Sequence, residues 1–133
     1  MVRSTNDPTL VTREQVEGFF IGWPNPPQPE TLLRLLQGSY RVILALDGDQ
    51  VVGFVTAISD GVLSAYIPLL EVLPSHQGRG IGTELTRRIL DDLTNLYMID
   101  VMCDKEVAPF YERLGLRRAT GVIRRNYSRQ SGE

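Results

Sequence analysis

Apolar residues at helical spacing open the chain, and each stretch ends where glycine or proline interrupts the pattern. The capping-box sequence at residues 12–15, followed by apolar positions behind it, predicts a short helix that ends near Gly22. Residues 22–29 include four prolines and predict a stiff loop. A leucine-rich run from Glu30 to Gln37 then predicts a second helix, which Gly38 caps.

Three apolar runs separated by Asp-Gly turns predict an antiparallel meander in the middle of the chain. The first two strands are predicted at Tyr40–Leu46 and Val51–Ser59, joined by a hairpin turn at Asp47-Gly48. A second such turn at Asp60-Gly61 leads into a long third strand, predicted at Val62–Val72.

The last third of the chain alternates helical and strand patterns. We predict a helix at Thr83–Leu96, a strand at Tyr97–Cys103, a short helix at Val107–Leu114 and a closing strand at Val122–Tyr127. No repeat or linker divides the sequence, so residues 1–133 are predicted to form a single domain. The fold class is α/β (α+β), with a mixed, mostly antiparallel central sheet and helices on both faces.

Composition limits the classes of function. Of 133 residues, 42% are apolar and 23% are charged, as in a soluble globular protein. A net charge of -2 argues against nucleic acid as a partner. One cysteine and one histidine provide no disulfide and too few of the usual ligands for a metal site, so no metal is expected. The absence of a long apolar run predicts no membrane partner and a cytoplasmic location.

Three glycines after the third predicted strand form the most informative motif. Gly78, Gly80 and Gly82 alternate with larger residues between Pro74 and the predicted helix start at Thr83. Such a turn lets main-chain N–H groups face a ligand, and the helix N-terminus adds partial positive charge. It predicts a cradle for an anion such as a pyrophosphate. The turn lacks the features of a P-loop or a dinucleotide-binding loop, and a purely structural turn is the alternative.

Two motifs resemble the signatures of the GNAT N-acetyltransferase family. The spacing Gln77-x-x-Gly80-x-Gly82 is similar to the acyl-CoA-binding signature of that family. Residues 104–116 resemble its second signature at four positions, Phe110, Tyr111, Leu114 and Gly115. Three positions depart from the second pattern: Asp104 replaces asparagine, Val107 replaces alanine and Leu116 replaces phenylalanine.

The resemblance implies a fold in which two parallel strands, ending near Val72 and Cys103, splay apart to admit acetyl-CoA. Tyr111 would be the general acid by its position in the second motif. The residues implied to bind the co-substrate are Leu70, Val72, Gln77, Gly78, Arg79, Gly80, Ile81, Gly82, Thr83, Asp104 and Phe110.

The function implied is transfer of an acetyl group from acetyl-CoA to a primary amine of a small molecule or peptide by direct attack. Glu71, a carboxylate near the end of an apolar strand, is the candidate general base, with Tyr66 and Asp60 as alternatives. A homodimer is compatible with the sequence. A non-catalytic acyl-CoA sensor and an interaction module without a nucleotide ligand are the competing hypotheses.

Overall fold

The computed structural model describes residues 1–133 and confirms a single mixed sheet with helices on both faces. The six strands are β1 (Val2–Thr5), β2 (Arg41–Asp47), β3 (Gln50–Ser59), β4 (Ser64–Ile67), β5 (Leu70–Val72) and β6 (Met98–Val101). The α-helices are α1 (Pro29–Gly38), α2 (Ile81–Asp92) and α3 (Ala108–Glu112). Short 3-10 turns occupy Pro8–Leu10, Arg13–Val16, Pro74–His76 and Tyr127–Arg129.

The sheet has the order β1-β2-β3-β4-β6, and β5 pairs with β3 beside β4. All neighbouring pairs are antiparallel except β4 and β6, which run parallel. The predicted hairpin at Asp47-Gly48 is confirmed, with Asp47 opposite Gln50 and Gly48 at a φ of 62°. The central strands β2 and β3 are buried along most of their length, which explains their continuous apolar runs.

The prediction of one long third strand at residues 62–72 was wrong. The structure instead has two short strands, β4 and β5, separated by Pro68 and Leu69. Proline has no N–H to donate to a sheet ladder, so it interrupts the pairing at this point. The interruption allows β5 to follow β3 while β4 pairs with β6.

Both ends of the chain differ from the prediction. The N-terminal residues, for which no element was predicted, form edge strand β1 antiparallel to β2. The first predicted helix is only a 3-10 turn at Arg13–Val16, although the Thr12 N–H donates to Gln15 Oε1 at 2.8 Å as a capping box requires. The closing strand predicted at Val122–Tyr127 is absent, and that segment lies exposed without pairing.

Helix α2 begins at Ile81, two residues earlier than predicted, because Gly80 takes the left-handed N-cap conformation. Its buried side packs against β2, β3 and β5. One close approach is at Gly53 on β3. A Cβ atom there would lie 3.1 Å from Leu85 Cδ1, 3.3 Å from the Glu71 carbonyl oxygen and 3.4 Å from Ile81 Cγ2. The absence of a side chain at Gly53 therefore fixes how closely the start of α2 can sit on the sheet.

None of the helices has both the length and the apolar character needed to cross a membrane. The cytoplasmic location stays a prediction from the sequence.

Substitution of Gly53 by alanine tests this close contact. Because a Cβ atom would press on Leu85, Ile81 and a main-chain carbonyl, we expect the free energy of unfolding to fall by about 1–3 kcal/mol. Denaturant unfolding measures the loss. Gly38→Ala is the matched control, since Gly38 ends α1 with no atom within 4 Å of the place that a Cβ would occupy. Equal stability of the two variants would contradict the packing argument.

Candidate active site

The two parallel strands β4 and β6 separate at one end and leave a fork in the sheet. Their pairing runs from Ser64 opposite Met98 to Ile67 opposite Val101 and then stops. Beyond Pro68 the chain continues as β5, which pairs only with β3. The side of β5 that faces away from β3 therefore has no strand beside it.

Main-chain groups of Leu70 and Val72 line the open side of this fork. On either side of them, the Leu69 carbonyl accepts from β3 at 3.1 Å and the Leu73 N–H donates to β3 at 2.8 Å. Main-chain groups alternate in direction along a strand, so those of Leu70 and Val72 face away from β3. An extended ligand with amide groups could add to this edge like a further strand.

The glycine turn continues directly from this edge. Gly78 and Gly80 have φ values of 77° and 80°, a conformation that glycine adopts without steric cost. The main-chain N–H groups of residues 78–83 donate to no acceptor in the protein, because the first α2 bond runs from the Glu84 N–H to the Gly80 carbonyl. This run of free donors at a helix N-terminus is suited to an anion with several oxygens.

Side chains of the turn bind to the protein itself. Gln77 Nε2 donates to the Val72 carbonyl at 3.0 Å, which ties the turn to the end of β5. Arg79 Nη2 donates to the Ser75 carbonyl at 3.3 Å. These two predicted ligand-binding residues therefore shape the turn through their side chains.

His76 connects the turn to the β2–β3 hairpin. Its Nε2 lies 2.8 Å from Asp47 Oδ2 and its Nδ1 lies 2.7 Å from Ser75 Oγ. The hydrogen bond with His76 is the main reason that the pKa of the Asp47 carboxyl is lowered. Both ring nitrogens are thus occupied by contacts within the protein.

Phe110 of α3 and Gly82 of α2 lie close together at one side of the fork. A Cβ atom at Gly82 would lie 3.7 Å from Val72 Cγ2 and 3.9 Å from Phe110 Cζ. The first turn of α2 thus lies between the end of β5 and helix α3. The structure brings these three predicted site residues together.

Tyr111 is the buried residue of helix α3. Helix α3 buries its side chain, which is 8% exposed, with the ring edge-on to Phe110 at a centroid distance of 5.0 Å. Burial raises the pKa of the Tyr111 phenol to about 12, and charge repulsion from Cys103 and Tyr66 adds to the rise. Tyr66 is in β4 and Cys103 follows β6. The phenol is protonated at neutral pH and can act as a donor.

Comparisons with known proteins support the same interpretation. Residues 9–116 match the acetyltransferase (GNAT) family. The fold is similar to a Deinococcus radiodurans R1 crystal structure, provisionally described as an acetyltransferase, with a TM-score of 0.94 and 50% identity over 98% of this chain and 92% of that one. A GNAT family acetyltransferase from Streptococcus pneumoniae TIGR4 has a TM-score of 0.77 and 31% identity over 95% of this chain and 98% of that one.

The chain belongs to the GNAT acetyltransferase family. Among curated relatives, it is 41% identical over 76 residues to GCN5-related N-acetyltransferase 3, chloroplastic, from Arabidopsis thaliana. That match covers 56% of this chain and 32% of the Arabidopsis protein. The chain spans between 32% and 58% of the length of the curated relatives it matches.

Glu71 has a structural contact in this GNAT domain. It lies opposite Phe54 on the face of the sheet away from α2. Both carboxylate oxygens are 2.9 Å from the Phe20 N–H, and Oε2 is 3.3 Å from the Ile21 N–H. Phe20 is the one non-glycine residue with a positive φ, 65°, so Glu71 holds the loop in an otherwise unfavourable conformation.

The main chain of Phe20 and Ile21, which Glu71 holds, was not predicted to belong to the site. Phe20 packs on Phe54 and Trp23, with ring centroids 6.3 and 4.8 Å apart, and Phe19 packs on Phe54 at 5.0 Å. The sequence showed these phenylalanines only as one face of a short helix. The left-handed Phe20 has no signature in the sequence that would have pointed to Glu71 as its partner.

The remaining candidate residues differ in the hydrogen bonds that they make within the protein. The Asp104 carbonyl accepts from the Val107 N–H at 2.9 Å, and its exposed side chain makes no hydrogen bond. The Asp60 carboxylate accepts from the N–H groups of residues 62–64, which lowers its pKa and caps a turn. No group of three or more His, Cys, Asp or Glu side chains is arranged to hold a metal ion.

Proposed function

We propose that this protein transfers the acetyl group of acetyl-CoA to a primary amine of a small molecule or peptide. The observation that carries the proposal is the continuous main-chain surface formed by the open edge of β5 and the free N–H groups of residues 78–83. The family supports acetyl transfer, and the name of the Arabidopsis relative supports nitrogen as the acceptor atom.

In this proposal the pyrophosphate of acetyl-CoA is bound by the N–H groups of the glycine turn, including those of Ile81 and Thr83. The amide groups of the pantetheine arm pair with the open edge at Leu70 and Val72. Binding through main-chain groups needs no side chain from the turn. This is consistent with the side chains of Gln77 and Arg79, which donate to main-chain carbonyls of the protein itself. Phe110 borders the opposite side of the fork, and the exposed Asp104 side chain is proposed to contact the co-substrate there.

The chemical step needs a neutral amine and a proton for the departing thiolate. The amine nitrogen attacks the thioester carbonyl carbon, the C–S bond breaks, and Tyr111 donates its phenolic proton to the sulfur. Its burial and its raised pKa, which keep the phenol protonated at neutral pH, support this role. The nitrogen carries an extra proton after the attack and loses it to solvent, and the Tyr111 phenolate takes up a proton from solvent in return, so the products are an amide and free CoA.

Glu71 is proposed as the general base that accepts the ammonium proton, directly or through water. Its carboxylate already binds the N–H groups of Phe20 and Ile21, so it also forms part of the acceptor wall. The lone pairs that these bonds leave free are the ones that would take the proton. The aromatic residues beside it, Phe20 and Trp23, suit an amine with an apolar portion.

Loss of the left-handed turn should weaken binding of acetyl-CoA. We expect Gly80→Val to weaken affinity about tenfold or more, because valine cannot keep a φ of 80° and the N–H groups would turn away. Gly22→Val is the matched control, with a φ of 83° and equally open surroundings in the loop before α1. Calorimetry with acetyl-CoA measures both variants.

The same protein should release CoA in the presence of at least one member of a panel of primary amines. Unchanged affinity in a folded Gly80→Val protein would contradict the assignment of the turn. Binding to the native protein with no turnover on any amine would instead favour the non-catalytic acyl-CoA sensor.

Removal of the Tyr111 hydroxyl should slow acetyl transfer without weakening co-substrate binding. Since a general acid contributes about 10²- to 10⁴-fold, we expect Tyr111→Phe to lower the single-turnover rate by a factor in that range. The phenylalanine ring keeps the packing against Phe110, so acetyl-CoA affinity should stay unchanged. Tyr97→Phe is the control, since Tyr97 is 82% exposed. A native single-turnover rate in Tyr111→Phe would mean that the proton comes from another group.

A base and a purely structural carboxylate at Glu71 predict different pH profiles. If Glu71 takes the proton, Glu71→Gln lowers kcat/KM about 10²- to 10⁴-fold, and the loss shrinks as the pH approaches the pKa of the amine itself. If Glu71 only holds Phe20, the variant loses stability and its activity falls by the same factor at every pH. Rate measurements across pH, together with denaturant unfolding, separate the two roles.

A further inference from the structure

The chain between Phe20 and helix α1 has few hydrogen bonds of its own. Its residues 23–28, the acceptor loop, include three prolines, which have no N–H to donate. Two N–H groups of the loop make hydrogen bonds: that of Trp23 donates to the Phe20 carbonyl at 3.2 Å, and that of Asn25 donates to Gln130 Oε1 at 3.0 Å. A loop with so little internal bonding takes its position from contacts with the rest of the protein.

Gln130 belongs to a tail, residues 127–133, that is fastened to helix α1. Glu133 Oε1 accepts from Thr31 Oγ1 at 2.9 Å. The main chain of the tail also lies close to α1 at Gly132, where a Cβ atom would be 2.9 Å from Thr31 Cγ2. These contacts fix the tail beside the start of α1, and the half-buried Gln130 side chain reaches from there to the acceptor loop.

Trp23 lies between two points at which the main chain is held from outside. On one side, Glu71 accepts from the Phe20 N–H at 2.9 Å, and the Phe20 ring packs on the Trp23 ring with centroids 4.8 Å apart. On the other side, two residues after Trp23, the Asn25 N–H is held by Gln130. The sheet supplies the first contact and the tail supplies the second, so the position of Trp23 depends on both.

We propose that Gln130 is a positioning residue, through which the tail holds the acceptor loop against the amine-binding side of the site. The link to catalysis rests on the proposed acetyl transfer, whereas the positioning of Trp23 does not. When the loop is released, only the fraction of molecules with the loop in place binds the amine well, so the apparent affinity for the amine falls. Gln130 makes no hydrogen bond to the glycine turn or to Tyr111, so acetyl-CoA binding and the chemical step should be unaffected.

Fluorescence tests the positioning directly, because Trp23 is the one tryptophan of the chain. Gln130→Leu keeps the size of the side chain and removes the acceptor, so acrylamide quenching of Trp23 should rise and its anisotropy should fall. Gln130→Glu keeps an oxygen that can accept from the Asn25 N–H and should retain the native values. Gln37→Leu is the matched control, since this exposed glutamine of α1 makes no side-chain hydrogen bond. It should also retain the native values.

Steady-state kinetics test the link to the acceptor. The first amine is phenethylamine, which has an apolar portion, followed by any other amine of the panel that the native protein acetylates. A typical hydrogen bond shifts an equilibrium about 2- to 10-fold, so Gln130→Leu should raise KM for the amine by a factor in that range. The kcat and the affinity for acetyl-CoA should stay unchanged. Gln130→Glu and Gln37→Leu should have the native KM.

Native quenching in Gln130→Leu overturns the proposal, because the loop would then be held without the tail. Raised quenching with an unchanged KM overturns the link to the acceptor and leaves Gln130 a purely structural residue. A native protein that acetylates no amine contradicts the acetyl transfer and, with it, the kinetic link. In that case the quenching of Trp23 still decides whether Gln130 holds the loop, so the two failures are distinguishable.

Discussion

The loss of pairing at Pro68 is the constraint on which the candidate site depends. Up to Ile67 the chain is held between β3 and β6, and from Leu70 onward it is held by β3 alone. Because Pro68 has no N–H to donate, the strand is interrupted there, and the chain pairs with both β3 and β6 before it but only with β3 after it. The open edge of β5 and the direction in which the chain enters the glycine turn both follow from that change of partner.

Features that depend on neighbours in sequence could be predicted, and those that depend on distant contacts could not. The Asp47-Gly48 hairpin and the glycine turn follow from local conformational preferences, so the sequence located both correctly. The division of the third strand at Pro68 could have been read from the proline itself. The edge strand β1 could not, because its four residues have no apolar alternation and are ordered only by pairing with β2.

The contact made by Glu71 is another that could not be predicted from the sequence. Its place near the end of an apolar strand identified a carboxylate that needed a partner, but not which partner. The structure supplies main-chain N–H groups of Phe20 and Ile21, about fifty residues earlier in the chain. Because almost every residue has a main-chain N–H, the residue types in a loop do not show which of them a distant carboxylate will bind. The closing strand at residues 122–127 was predicted wrongly for a related reason, since a strand-like composition does not reveal whether a neighbouring edge is paired within the same chain.

In the glycine turn, main-chain N–H groups face solvent while side chains pack inside the protein. Ile81 offers its N–H to solvent while its side chain packs toward Gly53 in the core. Gly80 contributes only a conformation, with no atom within 4 Å of the place where a side chain would begin. If the turn binds acetyl-CoA as proposed, adjacent positions have different tolerance to substitution: a change at Ile81 would affect folding and binding together, whereas a change at Gly80 would alter binding while the core stays intact. Resistance to sequence drift in such a turn would reflect backbone geometry more than side-chain chemistry.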